Sequence, residues 1–85
     1  MSSEEIARQR QHTRRYRQWE ELPDEGRRYW REIPGRRAGW RARYCLEVDA
    51  QEQTLRFWQE IYNPEGRLVE LHQKFPVDTG HQQLI

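Results

Sequence analysis

Eighty-five residues make one small domain, since a domain usually takes on the order of 100 residues and a second does not fit. Leu, Ile, Val and Phe supply only 15 positions, but four Trp, four Tyr and a net charge of +1 argue for a folded chain with an aromatic core rather than a disordered one. With no apolar run near ~18 residues and no charged-then-apolar leader, the chain is expected to be cytoplasmic and to make no membrane contact.

The opening stretch, residues 1–22, is predicted to be a basic helix, frayed in part. Ser2 stands three before Glu5 as in a capping box, and neither Gly nor Pro interrupts. Its apolar stripe is poor, because Arg10 and Arg17 fall beside Ile6 on the helical wheel. Leu22-Pro23-Asp24-Glu25-Gly26 is expected to end it.

From Arg27 the period changes to two. Trp40, Ala42, Tyr44, Leu46 and Val48 alternate with Arg41, Arg43, Cys45, Glu47 and Asp49, the pattern of a strand with one dry face. Residues 28–33, 54–62 and 67–75 read as three more strands joined by short connections, so the sheet over residues 27–75 is expected to be an antiparallel meander. In Asn63-Pro64-Glu65-Gly66 the turn chemistry pairs Asn63 with Arg67. Counting outward from that turn sets Ile61 opposite Val69, Gln59 opposite Leu71 and Phe57 opposite Gln73. The same parity sets Leu46 against Phe57, Val48 against Leu55, Tyr29 against Tyr44 and Ile33 against Trp40. The expected fold is α+β: an N-terminal helix, with Tyr16, Trp19 and Leu22, packed on one face of a four-stranded antiparallel meander sheet. In the tail, residues 76–85, Pro76 limits further pairing, and Asp78-Thr79-Gly80 is expected to turn His81 back toward the domain.

These registers predict an opposite face with Trp30, Arg43, Glu60 and Glu70 in one row and Arg28, Cys45, Trp58 and His72 in the next. Bases could stack on its two Trp while guanidinium groups hold phosphates. The charge is unevenly placed: residues 1–43 hold twelve Arg against seven acids, and residues 44–85 hold three basic residues against seven acids. Arg8 to Arg17 is ten residues without an acid, and Arg27 to Arg43 holds seven Arg against one Glu. The expected function is a non-enzymatic module binding nucleic acid, RNA more plausibly than DNA. Its candidate contacts are Arg10, Arg14, Arg17, Arg28, Trp30, Arg36, Arg37, Arg41, Arg43 and Trp58. One alternative is a protein-interaction module, binding a second copy or a partner as in a toxin–antitoxin pair. Another is a metal-independent ribonuclease-type toxin, with His72 and His81 as base and acid, Asp78 beside them, and Arg43 or Arg56 holding the phosphate. No Walker loop, HExxH, GxGxxG or Ser-His-Asp signature occurs, and neither a metal nor another cofactor is expected. The lone Cys45 excludes a disulfide framework and is expected to be an inert thiol.

Overall fold

A computed structural model describes residues 1–84. One helix, α1 (Ser3–Arg15), precedes six strands: β1 (Gln18–Glu21), β2 (Arg27–Pro34), β3 (Arg41–Val48), β4 (Thr54–Tyr62), β5 (Leu68–Phe75) and β6 (Gln82–Gln83). All are antiparallel neighbours in chain order, giving one sheet β1-β2-β3-β4-β5-β6. The α+β class matches expectation, but the sheet has six strands, not four.

The two extra strands come from the segments read as helix end and tail. The helix starts as its cap requires: Ser2 Oγ accepts from the Glu5 amide at 3.1 Å, with Glu4 and Glu5 in the first turn and Arg14 and Arg15 in the last. It stops at Arg15, not residue 22, because Tyr16 is extended (φ −114°, ψ 122°). The Pro23–Gly26 breaker closes a hairpin, with Leu22 N–H donating to Gly26 O at 2.9 Å, so the residues before it become β1 and Trp19 lies opposite Tyr29. At the other end the chain passes Pro76, turns at Asp78–Gly80, and returns as β6 against Glu70 and Leu71 of β5.

Three hairpins share one turn. In each, the first residue donates its N–H to the carbonyl four residues on and accepts from the amide three residues on (Leu22/Gly26, Asp49/Gln53, Asn63/Arg67). The fourth residue is left-handed in all three: Glu25 (φ 68°), Glu52 (φ 63°) and Gly66 (φ 82°). This is a type I turn with a bulge residue, a three-residue hairpin loop. Asn63 pairs with Arg67 as the turn chemistry predicts.

Of the expected registers, Leu46 opposite Phe57 holds in the middle of β3 and β4, and those on either side fail. The Gly35–Trp40 loop is closed by a 2.7 Å bond from Gly35 N–H to Trp40 O, which moves the β2–β3 pairing by two residues: Tyr29 faces Leu46, not Tyr44, and Ile33 faces Ala42, not Trp40. Gly35 has no room for a side chain, since a Cβ would stand 2.8 Å from Trp40 Cβ. Between β4 and β5 a bulge passes over Val69, so Ile61 faces Glu70 and Gln59 faces His72; a second irregularity brings Phe57 opposite Phe75. A third sets Val48 against Thr54 in place of Leu55. The one-residue shift turns β5 over, carrying Glu70 and His72 to the helix side of the sheet.

The core lies under the helix and is mostly aromatic, as the composition implies. Tyr16, Tyr29, Leu46 and Val48 are buried, with Tyr44 and Phe57 against them. No residue of the helix itself is buried. Trp19 is not a covering residue either: it is 43% exposed, with the Arg27 guanidinium 4.2 Å from its ring centroid.

Candidate nucleic-acid interface

The outer face, opposite the helix, was the expected stacking surface. Its cross-strand rows are Glu20–Arg28–Glu47–Arg56, Gln18–Trp30–Cys45–Trp58–Gln73 and Glu32–Arg43–Glu60–Leu71–Gln82. The arginines are answered row by row. Arg28 bonds Glu20 and Glu47, each at 2.8 Å, while Arg41 and Arg43 share Glu32 at 3.3 and 2.6 Å. Arg56 lies 3.6 Å from Glu47, stacked over Trp58 at 4.5 Å. Trp58 is buried, contrary to the expectation of an exposed platform; its Nε1 donates to Glu60 at 3.0 Å. Trp30 stays half-buried. Such pairs stabilise a sheet and leave few free cations for phosphate. Cys45 is buried, and desolvation pushes its thiol up to about 12, so it is not a nucleophile at neutral pH.

His72 and Glu70, expected on that face, are on the other one. The tail does bring the histidines together: the His72 and His81 rings are 4.5 Å apart, His72 Nε2 lies 2.6 Å from Asp78, and His81 Nδ1 lies 2.9 Å from Glu70. Their proposed phosphate holders, Arg43 and Arg56, lie across the sheet and are ion-paired, so this cluster has no arginine from that pair. Among the described residues no group of three or more His, Cys, Asp or Glu is placed to hold a metal.

Glu52 escapes a reading of the sequence. It is buried, 4% exposed, at the left-handed position of the β3–β4 turn. Its carboxylate meets His12 Nδ1 at 2.9 Å, accepts from the Tyr29 hydroxyl at 2.8 Å, and lies 3.7 Å from Arg27 Nε. Burial and the Glu52 hydrogen bond push the Tyr29 phenol up to about 12. With Arg8 donating to Gln51 O at 2.9 Å, this network holds to the sheet a helix that buries no residue of its own.

The free cations gather elsewhere. Arg10, Arg14, Arg15, Arg17, Arg31, Arg36, Arg37, Arg67 and Lys74 are all exposed, and none forms a salt bridge with a described residue; five of the nine lie around the open edge of β2. Arg15, Arg17 and Arg31, with Trp30, line a cleft of about 610 Å³ where β1 stops. The last β1–β2 pair is Gln18–Trp30, so Arg31–Pro34 of β2 form an open sheet edge. The cleft holds one acid, Glu32, which Arg41 and Arg43 already bind. Arg36 and Arg37 line a second cavity just past the same edge, and Ile33 lines both. Arg15 and Arg31 are not among the contacts expected from the sequence, since only the fold separates free arginines from paired ones. Compared with known proteins, the chain matches no family model, no curated protein and no solved structure. Among the described residues, no helix is long and apolar enough to cross a membrane.

Proposed function

We propose that the protein is a non-enzymatic module that binds single-stranded nucleic acid, RNA in preference to DNA, along the open edge of β2. The reading rests on one observation: Arg15, Arg17 and Arg31 converge on a single cleft beside Trp30 without carboxylate partners among the described residues. Arg36 and Arg37 continue the line. Cationic grooves with a nearby aromatic ring hold phosphates and stack bases with little sequence preference. The outer-face arginines Arg28 and Arg56 lie off this track, paired with Glu20 and Glu47, while Arg43, which lines the cleft, and Arg41, which lines the second cavity, are neutralised by Glu32. The test is fluorescence anisotropy with labelled mixed-sequence RNA and DNA oligonucleotides at low salt, then through a salt series. Log affinity is expected to fall by about 0.7 per phosphate contact for each unit of log salt. Combined Arg15→Ala, Arg17→Ala and Arg31→Ala substitutions are expected to abolish the shift, and Arg28→Ala with Arg56→Ala to leave it. No binding at low salt, or binding indifferent to salt, rejects the proposal.

A second reading is favoured by the same edge: an acidic extended segment of a partner protein, or of a second copy, could add as a strand beside Arg31–Pro34. Pro34 offers no N–H, which shortens the ladder available and favours the first reading. Light scattering across concentration and salt tests self-association.

A further inference from the structure

The helix covers only one end of its side of the sheet. At the other end, between the β2–β3 loop and the tail, lies the cavity of about 560 Å³ that shares Ile33 with the arginine cleft. It is lined by Tyr44 and Ile61 of the sheet, by Trp40 with Arg36 and Arg37 of the β2–β3 loop, and by Glu70, which neighbours Ile61 across the strands, with His81 of the tail. The Arg37 guanidinium is 5.7 Å from the Trp40 ring centroid. Glu70 accepts from Gln83 Nε2 and lies 2.9 Å from His81 Nδ1; each carboxylate oxygen keeps a further lone pair, and His81 keeps Nε2. A volume in the range of small-ligand sites, with aromatic and apolar surfaces and a few polar groups on one side, suits a flat ring with hydrogen-bonding edges. An aliphatic chain would use neither the remaining Glu70 lone pairs nor His81 Nε2.

We propose that this cavity seats one nucleobase of the bound strand, against Trp40 and Tyr44, with its edge toward Glu70 and His81 and its phosphate near Arg36 and Arg37. The inference rests on the nucleic-acid reading above, and continuity through Ile33 is what lets a strand on the arginine track reach it.

The experiment compares labelled oligouridylate of about eight nucleotides with an abasic ribose-phosphate oligomer of equal length. The native protein is expected to bind the intact strand about tenfold more tightly, the contribution of a stacked base. Trp40→Ala should reduce the intact strand to the abasic level, whereas Arg15→Ala should weaken both equally. Equal affinity of the native protein for both oligomers overturns the seat while the phosphate track stands. A base preference that survives in a normally folded Trp40→Ala variant also overturns it. Binding of neither oligomer overturns both proposals. Should Trp40→Ala fail to fold, photocrosslinking of native protein to a 4-thiouridine oligomer decides: adducts at Trp40 or Tyr44 support the seat, and adducts confined to Trp30 overturn it.

Discussion

Glu25 and Glu52 occupy the same place in two copies of one turn, and the structure separates what each does. Both pay for a left-handed backbone, about 1–2 kcal/mol for a non-glycine residue. Glu25 is exposed and makes no side-chain bond among the described residues, so Glu25→Gly is expected to raise stability by about 0.5–1 kcal/mol in urea unfolding. Glu52→Gly relieves the same strain but strips His12 and Tyr29 of their buried partner, and is expected to lower stability by about 1–3 kcal/mol. Titration sharpens the residue picture at both ends of the pH scale. Tyr29, Tyr62 and Cys45 are each pushed up to about 12, desolvation first, from ordinary values of 10.0, 10.0 and 9.0. Groups raised in the fold contribute fully below their unfolded values, and that contribution is lost as pH rises toward 12. Unfolding midpoints should fall steeply over that alkaline window, and less steeply in Tyr29→Phe. Asp78 moves the other way: the Gly80 amide and then His72 hold its carboxyl below the usual range. Its hold on the tail is present above the ordinary aspartate value and fades as pH falls through the depressed one. Protection of the Gly80 amide against exchange, relative to its intrinsic rate at each pH, should fall in acid, and unchanged protection would sink this account.

At the level of elements, α1 is docked by charge and hydrogen bonds more than by oil. Ile6 is 37% exposed and no helix residue is fully buried, so His12→Ala should loosen it without unfolding the sheet. Far-ultraviolet dichroism on heating would then show helix loss before the main transition. The strands of the middle sheet were legible because alternation from Trp40 to Val48 is strict and the Asn63–Gly66 turn carries glycine at its left-handed position. The β3–β4 turn was not legible to the same depth, since a Glu in that role leaves no signature. Nor was the bulge at Val69, which obeys no local residue preference yet sends His72 and Glu70 to the opposite face. Missing it misassigned the outer surface. Reading Pro23–Gly26 as a helix stop rather than a hairpin turn hid β1, and with it the open edge where the free arginines gather. The arginine count was visible in the sequence; which arginines are neutralised depended on registers two residues away from those that parity alone suggests.

Across the whole molecule, charge is sorted by surface rather than by half of the chain. The ladder of Glu20, Arg28, Glu47 and Arg56 cancels on one side, while the β2 edge keeps its excess. Surface ion pairs contribute only about 0–1 kcal/mol each. Raising salt from about 50 to 200 mM should therefore weaken the proposed nucleic-acid binding manyfold and hardly move the melting temperature, a contrast measurable in one buffer series. Sheet order has a mechanical side. Every strand neighbours the next in sequence, so the described chain enters at one rim of the sheet and leaves at the other. Tension applied between its ends loads each hairpin's hydrogen bonds singly, from the rims inward, instead of shearing a long pair at once. In an optical trap the domain should lengthen in several small steps at low force, as a row of stitches gives way.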